Sequence, residues 1–180
     1  MSDPLLNSKY GVCVVGVGAR TPLGLNGPSS AAAVRGAISA IREHPYMIDK
    51  AGECMSVAID AVLSADVLGI DRMSQFACAA IEEAILPLVQ AKVQLTSLPA
   101  IIGLPEERPG YSRGLGQQMV QQLAQSQSSP FRLGPVIAIH QGHAAGLIAL
   151  EQAADRIRSG ETAWCLAGGV DSYMHPDTLE

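Results

Sequence analysis

Short apolar runs alternate along the chain with segments of helical periodicity. Continuous apolar runs lie near residues 12–18, 100–104, 135–139 and 163–171, and most are bounded by glycine or proline. Runs of this length are typical of strands buried on both faces of a sheet. Their alternation with helices predicts an α/β layered fold, in which helices cover both faces of a mixed, mostly parallel sheet.

The clearest predicted helix begins at Asp71 or Ser74, because apolar residues then recur on one face as far as Leu88. Pro87 is expected to kink or shorten it. The other predicted elements are a helix over 31–37 capped by Ser29 or Ser30, helices at about 115–125 and 143–158, a possible short strand at 55–59, and a loop at 126–130.

The composition indicates a globular chain. Of the 180 residues, 48% are hydrophobic and 16% are charged, which excludes disorder. The net charge of −5, scattered basic residues and few aromatics argue against nucleic-acid binding. Neither a signal peptide nor an apolar run long enough to span a membrane is visible. We therefore expect a cytoplasmic protein with reduced thiols, and a disulfide-bonded secreted domain is the alternative.

Five stretches carry motifs in a recognisable order. They are VVGVG and TPLG at 14–18 and 21–24, GAISAIR at 36–42, DRMSQF at 71–76 with alanines at 79–80, IRSG at 157–160, and LAGG at 166–169. Together they resemble the β-ketoacyl synthase (ketosynthase) branch of the thiolase superfamily. The resemblance implies that residues 1–180 form the N-terminal half of a thiolase-like fold, and that the C-terminal half is absent from this sequence.

In that family a catalytic cysteine stands in a motif that resembles ACxSG. The register set by Gly146, Arg158 and Gly160 aligns residues 142–146, GHAAG, with this motif. His143 therefore falls at the position of the cysteine. Neither of its neighbours is a nucleophile.

The remaining cysteines offer no obvious replacement by position. Cys165 falls in the last predicted strand and Cys78 in an early helix, so both are expected to be ordinary buried thiols.

The resemblance also implies an activity and partners. The family's cysteine accepts an acyl group from a thioester, and a malonyl-type donor is then decarboxylated to form a carbon–carbon bond. The expected protein is a 3-oxoacyl synthase-like one of fatty acid or polyketide type. It would bind acyl carrier protein or acyl-CoA thioesters and use no cofactor. It would form a homodimer or heterodimer through the strand at 136–139.

His143 leaves several roles open. An imidazole could attack a thioester, but the resulting acyl-imidazole would be labile to water. As a hydrogen-bond donor, His143 could stabilise an enolate, which suits decarboxylation without condensation. His143 could equally fill the pocket of an inactive homologue. A chain-length-factor-like or carrier-protein-binding partner of a true synthase is the alternative function.

Two other kinds of site are disfavoured. The glycines at 16 and 18 suggest a dinucleotide-binding turn, but Thr21 stands where the third glycine of that motif belongs. His140 and His143 are three residues apart and could share a helix face. No carboxylate or cysteine at matching spacing accompanies them, so no metal site is predicted.

Overall fold

The computed structural model describes residues 11–94, 97–125 and 132–179. The predicted loop at 126–130 lies outside these residues. The helices are α1 (Gly27–Arg35), α2 (Gly69–Gln90), α3 (Arg113–Gln125), α4 (Ala145–Arg158) and the short α5 (Pro176–Leu179). The strands are β1 (Ile41–Ile48), β2 (Cys54–Ala58), β3 (Ser97–Leu104), β4 (Arg132–His140) and β5 (Leu166–Gly169).

Three strands form a parallel sheet with the order β4-β3-β5. In its centre Ile101 pairs with Ile137 on one side and with Ala167 on the other. These strands contain the predicted runs at 100–104 and 135–139 and the middle of the run at 163–171. The apolar runs were therefore correctly interpreted as parallel strands, of which β3 is buried and β4 and β5 are mostly half-buried.

Helices cover both faces of this sheet, as predicted. Alternate side chains of β3 face opposite ways: Ala100, Ile102 and Leu104 pack in one cluster with α2 and α3, and Ile101 packs with Ala149 of α4. These β3 side chains are at most 5% exposed. Removal of their apolar surface from water is the main contribution to the stability of this core. None of the helices in the described residues is long and apolar enough to cross a membrane.

The prediction of a buried strand at 12–18 is wrong for this structure. The segment has no strand assignment, and Val14 and Val17 are 75% and 71% exposed. It crosses α2, where Gly16 and Gly18 lie against the main chain of Ala84 and Ala80. A cavity of about 690 Å³ separates it from β5. Since a strand requires a hydrogen-bonded neighbour, the apolar run alone does not form one here.

Smaller differences concern the ends of helices and a hairpin. The cap of α1 is Asn26, which accepts from the N–H of Ser29 at 2.9 Å, and not Ser29 or Ser30. Helix α2 continues to Gln90 with Pro87 in its last turn. The possible strand at 55–59 is β2, which pairs antiparallel with β1. Strand β1 lies in a stretch for which no element was predicted.

Glu83 of α2 holds the segment that leads into α1. Its carboxylate accepts hydrogen bonds from the N–H of Ala19 at 2.8 Å and from that of Gly27 at 2.9 and 3.1 Å. Gly27 is the first residue of α1, so the negative charge also meets the positive end of that helix. Glu83 thus connects α2 to both the loop and the next helix.

Replacement of Glu83 by alanine is expected to lower the free energy of unfolding by about 2 kcal/mol, because two N–H groups lose a charged acceptor. Urea-induced unfolding followed by circular dichroism measures this change. Glu82→Ala is the matched control, since Glu82 is the exposed neighbour on the same helix, and it should change the free energy by less than about 0.5 kcal/mol. Equal effects of the two variants would contradict the role of Glu83.

Candidate functional site

The carboxyl ends of β3, β4 and β5 meet at one edge of the sheet. Leu104 pairs with His140, and Gly103 pairs with Gly169. The N–H of Val170 also donates to the carbonyl oxygen of Gly103 at 3.0 Å. The loops that follow these strands therefore start side by side, which is where open α/β sheets usually bind their ligands.

His143 lies at this edge, in the connection from β4 to α4. It is the middle residue of a 3₁₀ turn, Gly142–Ala144, and its side chain is exposed. Gly142 has φ +52°, a left-handed conformation that glycine adopts without strain. Helix α4 begins at Ala145, so the predicted helix starts two residues later than expected. His143 thus stands directly before the positive end of a helix.

Glycines allow the start of α4 to approach the sheet closely. A methyl group at Gly103 would lie 2.6 Å from both the carbonyl carbon of Ala145 and the nitrogen of Gly146. A methyl group at Gly169 would lie 3.3 Å from the Cα atom of Gly146. The main chain at the start of α4 therefore packs directly on the main chain of β3 and β5. This contact fixes the position of His143 relative to the end of the sheet.

His140 ends β4 and is held by a main-chain hydrogen bond. Its Nδ1 lies 3.2 Å from the carbonyl oxygen of Pro105. A carbonyl oxygen only accepts, so Nδ1 carries the proton and donates. The ring is half-buried, whereas the ring of His143 is exposed. Within the described ranges, no group of three or more histidine, cysteine or acidic residues is arranged to hold a metal ion.

Tyr111 approaches His140 from the loop before α3. The two ring centres are 6.5 Å apart, and a methyl group at Gly116 would lie within 2.8 Å of both side chains. The Tyr111 hydroxyl is buried and has no hydrogen-bond partner among the described residues. Burial raises the pKa of Tyr111 to about 12, so the hydroxyl stays protonated near neutral pH.

An ion pair joins the loops that follow β3 and β5. Arg108 donates through Nη1 to Asp171 at 3.1 Å and through Nη2 to the carbonyl oxygen of Ser172 at 2.9 Å. Its guanidinium carbon lies 4.2 Å from the ring centre of Tyr173. The hydrogen bond with Asp171 raises the pKa of Arg108, so the cation is permanent here.

Glu106 follows the same strand as Arg108 and lies beside the turn that carries His143. Its Oε1 would be 3.0 Å from a methyl group at Gly142. Sequence reasoning singled out neither Glu106, Arg108, Tyr111 nor Asp171. The available signal was their position, since each is a polar residue at or shortly after the end of a predicted strand.

The two cysteines considered in the sequence lie elsewhere in the core. Cys165 directly precedes β5, four residues before Gly169, or about 13 Å along an extended chain. It is half-buried beside Ile101 and Ala149, and burial raises the pKa of its thiol. A raised pKa leaves less thiolate, which is the reactive form. Cys78 lies in α2 against the other face of the sheet.

Comparison with known protein families shows what the region around this edge is similar to. Residues 107–180, which include α3, β4, α4 and β5, match the family model described as "Beta-ketoacyl synthase, N-terminal domain". The match confirms the predicted resemblance to the ketosynthase family of the thiolase superfamily. Residues 107–180 thus carry a likeness to the N-terminal domain of β-ketoacyl synthases. No curated protein matches the chain.

Proposed function

We propose that residues 1–180 are the N-terminal half of a 3-oxoacyl-(acyl-carrier-protein) synthase-like protein in which His143 replaces the nucleophilic cysteine. The observation that carries the proposal is the position of His143. It directly precedes the first turn of α4, at the edge where β3, β4 and β5 end, inside the region that matches the family model. The residues before 107 belong to the proposed domain because β3 is the central strand of the sheet.

The substitution removes the step on which condensation depends. A cysteine before a helix forms a thiolate and holds the acyl group as a stable thioester. An imidazole nitrogen that attacked the same carbonyl would release the thiol and form an acyl-imidazole, which water hydrolyses readily. The acyl group would be lost before a second substrate arrived. Gly142 and Ala144 carry no group that replaces the thiol.

The polar groups near His143 are a second reason to expect no condensation. Tyr111 and His140 are polar groups near the edge, but they are oriented by packing and by the Pro105 carbonyl. We therefore propose that this chain does not condense acyl and malonyl thioesters on its own.

A role as a non-catalytic partner is the second candidate. His143 is exposed and not buried in a pocket. It can therefore contact a thioester carbonyl or a carrier protein without forming a covalent bond. This favours a chain-length-factor-like protein, or one that binds acyl carrier protein and modulates a true synthase. The same exposed imidazole as hydrogen-bond donor would support decarboxylation of a malonyl thioester.

The edge of the sheet supports assembly into a dimer. Members of the ketosynthase family typically act with acyl carrier protein and dimerise. Among the described residues, β4 has one neighbour, β3, and its other edge is unpaired. An unpaired apolar strand readily adds another strand. We propose a homodimer or heterodimer through β4, acting on acyl carrier protein or acyl-CoA thioesters in the cytoplasm.

The protein is expected to give no 3-oxoacyl product when incubated with an acyl thioester and a ¹⁴C-malonyl thioester. Product analysis by chromatography and trapping of released CO₂ measure condensation and decarboxylation separately. If His143→Ala releases less CO₂ than the unaltered protein, decarboxylation is assigned to the imidazole. If both release equally little CO₂, the result favours the partner role. A labelled 3-oxoacyl product from the unaltered protein would contradict the proposal.

A further inference from the structure

Two main-chain edges without hydrogen-bond partners border the cavity between β5 and residues 12–18. Strand β5 pairs with β3 on one side only, so its other edge is open. The main chain of residues 12–18 makes no hydrogen bond within the part of the chain that the structure describes. Main-chain N–H and C=O groups are obligatory hydrogen-bonding groups, so both edges need partners. We call the space between them the sheet gap.

The sheet gap lies in the plane of the sheet. Helices α2 and α4 pack on opposite faces of β3, as the clusters around Ile102 and Ile101 show. Both helices nevertheless line the gap, α2 through residues that include Ala80 and Ile81, and α4 through residues that include Ala153 and Ala154. A space that touches helices on both faces continues the sheet beyond the open edge of β5.

The packing of residues 12–18 on α2 keeps the sheet gap open. Gly16 lies against the carbonyl oxygen of Ala84, and Gly18 lies against that of Ala80. A methyl group at either glycine would overlap these oxygens. The segment is therefore fitted to α2 by its main chain, and it does not close onto β5.

The lining of the sheet gap is apolar. Over the described residues, it contains no charged side chain. Val14, Val17 and Leu150 line it and are 75%, 71% and 49% exposed, so much apolar surface here remains uncovered. Several lining positions of both helices carry alanine, which leaves room for larger side chains. An occupant that buries these walls must be apolar and bulky on both faces.

We propose that the sheet gap binds one β-strand from outside these 180 residues, with bulky apolar side chains on both faces. The strand hydrogen-bonds to β5 along one edge and to residues 12–18 along the other, as in other cases of strand addition to a sheet. Residues 12–18 thereby become the strand that their apolar pattern predicts. This binding site goes beyond the proposed function and does not depend on His143.

A strand fits the sheet gap better than other occupants do. An acyl chain is apolar but cannot hydrogen-bond to the two open edges. A second copy of the chain offers its own residues 12–18, but these are already packed on α2. The longest apolar run in the sequence outside the described residues is Leu5-Leu6, which is short for a strand buried on both faces.

Titration with the synthetic peptide KKVIVIVIKK tests this site. Its central residues are all β-branched, and its terminal lysines keep it in solution. Trp164 is the single tryptophan of the chain and lines the sheet gap, so its fluorescence reports binding there. The peptide should cause a saturable blue shift of this fluorescence. It should also slow the amide hydrogen exchange of residues 12–18, because their N–H groups gain acceptors.

Two comparisons separate strand pairing from simple apolar contact. The same peptide with alternate amide nitrogens methylated keeps its side chains but loses the donors of one edge, so it should bind about tenfold more weakly or worse. Leu150→Lys should also weaken binding about tenfold, because it places a charge in an apolar space. Leu147→Lys is the matched control, since Leu147 is an exposed residue of α4 that does not line the gap.

The proposal is overturned if the peptide causes no saturable shift of Trp164 fluorescence. Equal binding of the methylated peptide also overturns it, since the gap would then accept any apolar ligand. The same holds if Leu150→Lys binds the peptide as tightly as Leu147→Lys. Light scattering of the protein alone tests the second copy. A dimer in which exchange of residues 12–18 is already slow would show that another copy fills the gap, and would contradict the proposal.

Discussion

Asp60→Ala is expected to lower the free energy of unfolding by about 3–5 kcal/mol, the range found when one partner of a buried ion pair is removed. The side chain of Asp60 is fully buried and that of Arg20 is 17% exposed. The substitution leaves the Arg20 guanidinium and the N–H groups of Val62 and Leu63 without their acceptor. Urea-induced unfolding at pH 7 measures the loss.

The control for Asp60 is an ion pair in solvent. Asp155 and Arg158 pair at 3.0 Å, and their side chains are 66% and 35% exposed. Asp155→Ala should therefore change the free energy of unfolding by less than about 1 kcal/mol. Similar losses in the two variants would show that burial does not determine the contribution of Asp60.

The contribution of Asp60 should also depend on pH. Burial alone would raise the pKa of Asp60, but the hydrogen bonds from Arg20, Leu63 and Val62 and the charge of Arg20 outweigh it and lower the pKa below its usual 3.8. A lowered folded-state pKa means stability that is present above 3.8 and is lost as pH falls through the lower folded value. The difference between the unaltered protein and Asp60→Ala should therefore shrink in acid.

Gly103→Ala is expected to cost about 3 kcal/mol and to disturb the candidate site at the same time. The new methyl group would meet the main chain of Ala145 and Gly146 at 2.6 Å. Neither atom belongs to a flexible side chain, so the start of α4 must move away from the sheet. His143, two residues before Ala145, would move with it.

Gly168→Ala is the matched control for Gly103→Ala. Gly168 pairs with Ile102 in the same sheet, one position along from the pair of Gly103 and Gly169. A methyl group at Gly168 meets no atom within 4 Å. This variant should unfold within about 1 kcal/mol of the unaltered protein. A loss as large as that of Gly103→Ala would mean that the close packing of α4 is not the cause.

The strands β3, β4 and β5 were predictable because each contains a run of consecutive apolar residues. A strand covered by helices on both faces is apolar at every position, and this pattern needs no knowledge of its neighbours. Residues 12–18 have the same pattern, but their main chain lies across α2 and apart from β5. Strand pairing depends on residues that are distant in the sequence. The local apolar pattern therefore could not distinguish a paired strand from the unpaired segment 12–18.

Most of the hairpin of β1 and β2 was not predicted, because β1 lacks an apolar pattern. Strand β1 contains Arg42, Glu43, His44 and Pro45, and only His44 among its residues is buried. A strand with one buried position, and that position polar, has no alternating apolar pattern to detect. Its existence depends on pairing with β2.

Only part of the candidate site could be predicted from the sequence. His143 was found because its motif fixes its place relative to Gly146, Arg158 and Gly160, and the structure places it at the carboxyl edge of the sheet. Arg108 and Asp171 are 63 residues apart and meet only after β3 and β5 have paired. Side chains brought together in this way are invisible to spacing along the chain.

Intact-protein mass spectrometry after incubation with an acyl thioester tests most directly whether His143 occupies the position of a lost nucleophile. The unaltered protein should carry no stable acyl group at position 143, because any acyl-imidazole is hydrolysed. His143→Cys should gain one acyl group per chain, mapped to position 143 and removed by hydroxylamine as a thioester, while the matched variant Gln141→Cys should not. Stable acylation of the unaltered protein at His143, or no more loading of His143→Cys than of Gln141→Cys, would contradict the account.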